Sequence, residues 1–171
     1  MDKAASETVK YPAYNGITLA HGDITNLYVD CLVCHLTNGK IREKSEKIGE
    51  TSQLRGLLGS IAESAGPKFL KAVREELDWK TIAPGNVKFT KGFSSRAFEI
   101  FHCQGPSISS GQTAKESDKH LLSLTVENAL DLAVKHNHVS IAFPAMLTGN
   151  YKFDNYSAFE NFGPAPKFGH I

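Results

Sequence analysis

The stretch Val139-Ser-Ile-Ala-Phe-Pro-Ala-Met-Leu-Thr-Gly-Asn-Tyr151 constrains the fold more than any other part of the chain. Val139, Ile141, Ala142 and Phe143 make an apolar run of strand length, and Pro144, with no N–H to give a sheet ladder, marks where that strand ends. A loop centred on Gly149 follows, at the carboxyl end of what should be a buried strand. In an open α/β sheet that is where ligands sit, and glycine there permits positive φ and close backbone approach. Backbone N–H groups exposed in such a loop form a concave anion site without any basic side chain. The same residues also suit an ordinary strand-to-helix turn, and the rest of the chain has to decide between the two.

Upstream, strand and helix patterns alternate. Residues 1–16 are mixed and polar, a flexible lead-in or a poorly formed edge strand. Ile17 to His21 reads as a strand that runs into the turn Gly22-Asp-Ile-Thr-Asn26. Asp23 at that strand's end can accept a hydrogen bond from an amine or a ribose hydroxyl, or it can cap the following turn through its own backbone. Val29 to His35 is nearly continuous in apolar residues, as a central strand covered on both faces would be. Residues 37–50 are dense in charge and read as loop; Lys40, Arg42, Lys44 and Lys47 stand there as solvated side chains or as reach for a phosphate.

From Ser52 the spacing of Leu54, Leu57, Leu58, Ile61, Ala62 and Ala65 predicts a helix that ends at Gly66, and Pro67 opens a second one. Gly56 and Gly59 near the start of the first helix cost helix propensity and suggest close packing there. A helix start also offers free N–H groups to a pyrophosphate. Strands are expected at residues 86–90 and 97–103 on either side of a turn at Gly92. Leu121 to Ala133 carries the clearest amphipathic pattern and leads, through His136-Asn137, into the Val139 strand. The expected class is therefore α/β, one domain with a sheet covered on both faces.

Composition limits the partners. At 171 residues and 41% hydrophobic, the chain suits one domain with a real core. Nineteen basic and 18 acidic residues give a formal charge of +1, without global pull toward nucleic acid or membrane, so an anionic ligand must be held locally. The sequence contains no run of about 18 apolar residues and begins without a secretory apolar segment. Cys31, Cys34 and Cys103 are odd in number and read as reduced core thiols, placing the protein inside the cell, in cytoplasm or nucleus. Cys31-x-x-Cys34-His35 has the spacing of a metal or redox motif, but residues three apart on a strand face opposite ways. No metal site is expected.

Taken in order, the segments His21-Gly-Asp-Ile-Thr25, Val29-Asp-Cys-Leu-Val33, Gly56 to Pro67, Pro84 to Gly92, Phe101-His-Cys-Gln-Gly-Pro106 and Ser140 to Gly149 resemble a macro domain, the family that binds ADP-ribose. The resemblance covers residues 17–153 and leaves 154–171 as an irregular tail. It implies a three-layer α/β/α fold with a mixed, mostly parallel sheet. It implies that Asp23 meets the adenine amino group, with the Ile24 amide supporting the ring. Gly56 and Leu57 would lie against the phosphates and distal ribose. Leu147, Thr148, Gly149, Asn150 and Tyr151 would wrap the pyrophosphate with their amides. No cofactor beyond the ligand ADP-ribose is implied, and the partners would be ADP-ribose or ADP-ribosylated protein.

The departures from the family pattern point away from catalysis. Active members carry two asparagines after the second strand in a Val-Asn-Ala-Ala-Asn pattern, and here Cys34 and Thr37 stand in those places. On the first helix turn, where many hydrolases put an acid and a histidine, this chain has Leu58 and Ala62, neither of which transfers a proton. The resemblance stops before the family's last helix and strand, the region that often supplies the aromatic stacked on adenine; Phe153, Tyr156 and Phe159 are substitutes or core cover. The reading is an ADP-ribose-binding module without turnover. The alternatives are an ADP-ribosyl-protein hydrolase with a non-standard site, for which a loop lysine with Asp154 is one scheme, and a pseudo-domain serving as a protein-interaction scaffold.

Overall fold

The computed structural model describes residues 9–10, 17–36, 56–75, 77, 82–106, 108 and 112–146. Among these residues two sheets are formed. The smaller pairs β1 (Val9–Lys10) with β2 (Ala20–His21), antiparallel, with Val9 opposite His21. The strand expected from Ile17 to His21 is regular only over its last two residues, which are exposed. Among the described residues it has a single short partner and no covering layer, so little there holds a longer ladder.

The main sheet runs in the order β4 (Val87–Lys91), β5 (Ala97–Cys103), β3 (Val29–His35), β6 (Ile141–Ala142). β3 is parallel to both neighbours, and only the β4–β5 hairpin is antiparallel. This mixed, mostly parallel sheet is the one the family resemblance implies, and β3 lies inside it as its apolar run predicts. Gly92 is required at the hairpin, because a Cβ there would lie 1.8 Å from the Ala97 carbonyl oxygen.

Each face of the sheet has its own helical layer. On one side α1 (Gly56–Ala65) and α2 (Pro67–Glu75) bring Ile61, Ala62, Phe69 and Val73 against Leu32, Cys34 and Ile100. On the other side α3 (Glu116–Lys135) packs Leu122, Val126, Ala129 and Ala133 against Cys31, Val33, Phe101 and Cys103. The alternation along β3 thus sends Cys31 and Cys34 into different layers, as strand geometry requires. α3 begins with Lys115 N–H donating to Asp118 Oδ2 at 2.8 Å, and acidic residues in its first turn with Lys135 in its last match the helix dipole. Among the described residues no helix is long and apolar enough to cross a membrane.

The strand expected from Val139 to Phe143 contracts to Ile141–Ala142, and Val139 is 95% exposed. The cause lies on β3. Asp30 Oδ2 accepts the N–H groups of Val139 (2.8 Å) and Ser140 (2.9 Å) and the Ser140 hydroxyl (2.9 Å), while Ser140 Oγ accepts the N–H of Asp30. These hydrogen bonds, led by that from Val139, hold the Asp30 carboxyl below its ordinary range. At the entry to β6 a side chain therefore takes the Val139 and Ser140 N–H groups, while the Ser140 carbonyl accepts the Cys31 N–H at 3.0 Å.

Candidate functional site

Parallel strands deliver the chain to one end of the sheet, and the carboxyl ends of β3 and β5 are tied together there. Leu36 N–H donates to the Cys103 carbonyl at 2.8 Å, and Gly105 N–H donates to His35 Nε2 at 3.0 Å. His35 is thus a neutral acceptor on that nitrogen, and burial holds its imidazole down at about 4. Beyond this edge β3 leads toward α1, whose first turn presents N–H groups without intrahelical acceptors. β6 leads to Met146, which is buried in the α3-side core. Its burial fixes the point from which the chain enters residues 147–151.

Of the nine predicted binding residues, four are described. Asp23 caps a single 3₁₀ turn, Ile24–Asn26, that follows β2. Its Oδ1 accepts both the Thr25 N–H (2.9 Å) and the Thr25 hydroxyl (2.7 Å). Asp23 is exposed, and Oδ2 is the oxygen turned to no donor among the described residues. Ile24 and Leu57 are half-buried and pack on the rim of the same core, so the turn and the start of α1 adjoin. Gly56 has φ +64°, and a Cβ there would meet no atom within 4 Å. The close packing expected at this glycine is therefore not made by the described residues. Leu147, Thr148, Gly149, Asn150 and Tyr151 lie outside the described residues, as do Thr37, the four loop cations between 40 and 47, and Asp154.

Cys34, in the place of the first family asparagine, is fully buried under α1 and α2, and burial pushes its thiol far above the ordinary range. Cys31 and Cys103 are likewise pushed up to about 12, chiefly by burial. Each is therefore held as a protonated thiol near neutral pH, a weak nucleophile in the folded core.

Two features escaped the sequence. The Asp30–Ser140 clasp joins residues 110 positions apart, and the His35 tie spans 70; neither has a local pattern to reveal it. A concavity of about 630 Å³ lies away from the predicted site. It is lined by Tyr28, Asp30, Lys91, Phe93, Arg96 and Ser140, at the amino ends of the parallel strands β3, β5 and β6 and the carboxyl end of β4. Ser94 N–H donates to Ala65 O, so this cleft lies beside the far end of α1, roughly 13 Å along the helix from Gly56. Its carboxylate is committed to holding β6, which makes it a structural recess.

Comparison with known proteins agrees with this architecture. The family model described as Macro domain matches residues 49–162. A macro domain-containing protein from Lactiplantibacillus plantarum is 33% identical over 139 residues, covering 80% of this chain and 70% of that protein. A Citrobacter rodentium protein named O-acetyl-ADP-ribose deacetylase is 31% identical over 147 residues, covering 84% of this chain and 74% of its own length. The Oceanobacillus iheyensis macrodomain, solved with ADP, superposes with a TM-score of 0.68 at 28% identity, covering 91% of this chain and 77% of that one. A point variant of it solved with ADPR gives 0.67, also at 28% identity, covering 91% and 78%.

Proposed function

Because the chain belongs to the macro domain family, we propose that it binds ADP-ribose, free or attached to protein, and does not turn it over. The observation that carries this reading is the division at the candidate site between what is kept and what is lost. An exposed carboxylate beside the half-buried Ile24, a positive-φ Gly56 and a helix start remain in one neighbourhood. They supply an acceptor for an amine and N–H groups for a diphosphate, both of which tolerate wide sequence change. At the position that would orient the distal ribose, a buried thiol faces the core instead. Leu147 to Tyr151 complete the diphosphate cage in this reading, and the ligand on a modified protein enters over the same edge. The reduced, buried thiols suit a protein working inside the cell.

A second reading has its own support, since several similar proteins are named O-acetyl-ADP-ribose deacetylase. A deacetylase or hydrolase of this kind would have to activate water with a group other than Cys34.

Both readings are tested by following O-acetyl-ADP-ribose and a mono-ADP-ribosylated protein for product release while the affinity for ADP-ribose is measured on the same sample. Binding without release above the uncatalysed rate is the expected result. Release at a steady rate proportional to protein would overturn the non-catalytic reading, and absence of binding by a folded sample would leave a scaffold.

A further inference from the structure

Away from the candidate nucleotide site, three metal-ligating side chains converge where α3 ends. Glu99 projects from β5 toward α3, and its Oε2 lies 2.7 Å from His136 Nδ1 and 2.9 Å from His138 Nε2. One ligand atom from each of the three lies within 4.8 Å of the others. We propose that Glu99, His136 and His138 bind a divalent transition-metal ion, with Zn²⁺ the best fit among the first-row ions.

The backbone builds this site. Residues two apart on a helix point to nearly opposite sides, so a helical His-x-His cannot share one ligand. Here Asn137 adopts φ +57°, a left-handed conformation that asparagine tolerates better than most residues, and it turns the chain so that both imidazoles face Glu99. Each histidine is anchored from its main chain, His136 N–H to Leu132 O at 3.0 Å and His138 N–H to Ala133 O at 2.9 Å. The residues that follow are held by Asp30, which leaves the His-Asn-His turn fixed at both ends.

The donor set is chemically apt. Two imidazole nitrogens and one carboxylate oxygen are a recurring set for Zn²⁺, with a water completing the tetrahedron. Bonds of about 2.0–2.1 Å place tetrahedral ligand atoms about 3.3 Å apart, so the oxygen–nitrogen separations need to open by only about half an ångström. The site sits at the carboxyl end of a 20-residue helix, where the helix dipole favours a cation. Side-chain exposures of 19% for His136, 11% for Glu99 and 8% for His138 leave an entry for the ion while keeping most water away. Phe101 lies beneath both rings, and Phe89 and Phe98 meet His136 and His138 edge-on, so the surroundings are apolar and restrict ring rotation. An ion there would clip the end of α3 to the central sheet.

The test is titration of the full chain with ZnCl₂, read by calorimetry and by thermal unfolding, with CoCl₂ as a spectroscopic probe. The expected result is one ion per chain, a rise in Tm, and visible Co²⁺ bands of four- or five-coordinate type. Glu99→Gln and His136→Gln keep hydrogen-bonding capacity at the cluster and should fold, yet each should weaken Zn²⁺ by about tenfold or more. His120→Ala, which removes an exposed histidine elsewhere on α3, should bind as the parent does. No saturable binding up to millimolar Zn²⁺, or equal loss in His120→Ala, would overturn the proposal. None of these readouts depends on ADP-ribose.

Discussion

Replacing Asp23 by asparagine separates two jobs that the same side chain performs. Its Oδ1 accepts two hydrogen bonds from Thr25, which close the 3₁₀ turn on the exposed surface. Asparagine keeps one oxygen and can keep that cap, so Asp23→Asn should cost only a few tenths of a kcal/mol in folding. Alanine keeps neither oxygen and should cost about 1 kcal/mol. The second job concerns Oδ2, which in the proposed complex accepts from the adenine amino group. Asparagine presents an NH₂ there, so a donor faces a donor and the charge is gone. Loss of one charge-assisted hydrogen bond is about 1–3 kcal/mol, or about 5- to 150-fold in Kd for ADP-ribose. Calorimetric titration of parent and variant, with urea unfolding on the same preparations, reads both quantities. AMP, which keeps the adenine, should lose affinity by a similar factor. An Asp23→Asn protein that is folded and binds ADP-ribose as the parent does would refute the assignment of Asp23 to the adenine.

Other expectations follow from the same geometry. Gly56→Ala adds a Cβ to a residue at φ +64° that meets no atom of the described residues, so the left-handed backbone should cost about 1–2 kcal/mol by urea unfolding and weaken ADP-ribose; unchanged stability would mean the turn relaxes. Gly149→Val should block the diphosphate loop, and ADP-ribose affinity that persists would remove that loop from the site. Phe69→Ala opens the α1/α2 layer where Phe69 is fully buried and stacked on His102 at 5.8 Å, and should cost about 3–5 kcal/mol in denaturant unfolding; a loss below 1 kcal/mol would mean the layer collapses around the gap. Burial holds the His102 imidazole down at about 3 and that of His35 at about 4, against an ordinary value of 6.5. The unfolded chain therefore binds the extra protons first, and stability should fall as pH drops below about 6.5, by up to about 1.4 kcal/mol per pH unit for each histidine. His102→Leu should flatten that slope between pH 6.5 and 4 in urea titrations, whatever it does to stability at pH 7; an unaltered slope would discount the burial argument.

How far the sequence could be read depended on whether the controlling interaction was local. β5 and the central position of β3 are decided by runs of apolar residues, and both were predictable. So were the end of α1 at Gly66, the start of α2 at Pro67 and the amphipathic α3. Val139 departs from its pattern: an apolar residue beside a strand predicts that it joins the strand, while Asp30, far away in sequence, holds its N–H and leaves the side chain in water. At the candidate site, Asp23 as a cap follows from Asx-turn chemistry, and its place next to Leu57 required the core layer to be assembled first. Cys31 and Cys34 were correctly separated by strand alternation. The His136–His138 pair is not legible in the sequence, because ordinary helix periodicity puts residues two apart on different sides, and the left-handed Asn137 reunites them.

The central claim is that this chain still holds the nucleotide its family site is shaped for, and calorimetric titration of the full chain with ADP-ribose, with AMP and ribose-5-phosphate alongside, tests it most directly. The account predicts saturable one-to-one binding of ADP-ribose, tighter than either fragment because adenine and diphosphate contacts are made together. Silence from a folded sample at millimolar ligand, or equal affinity for ribose-5-phosphate, would contradict it.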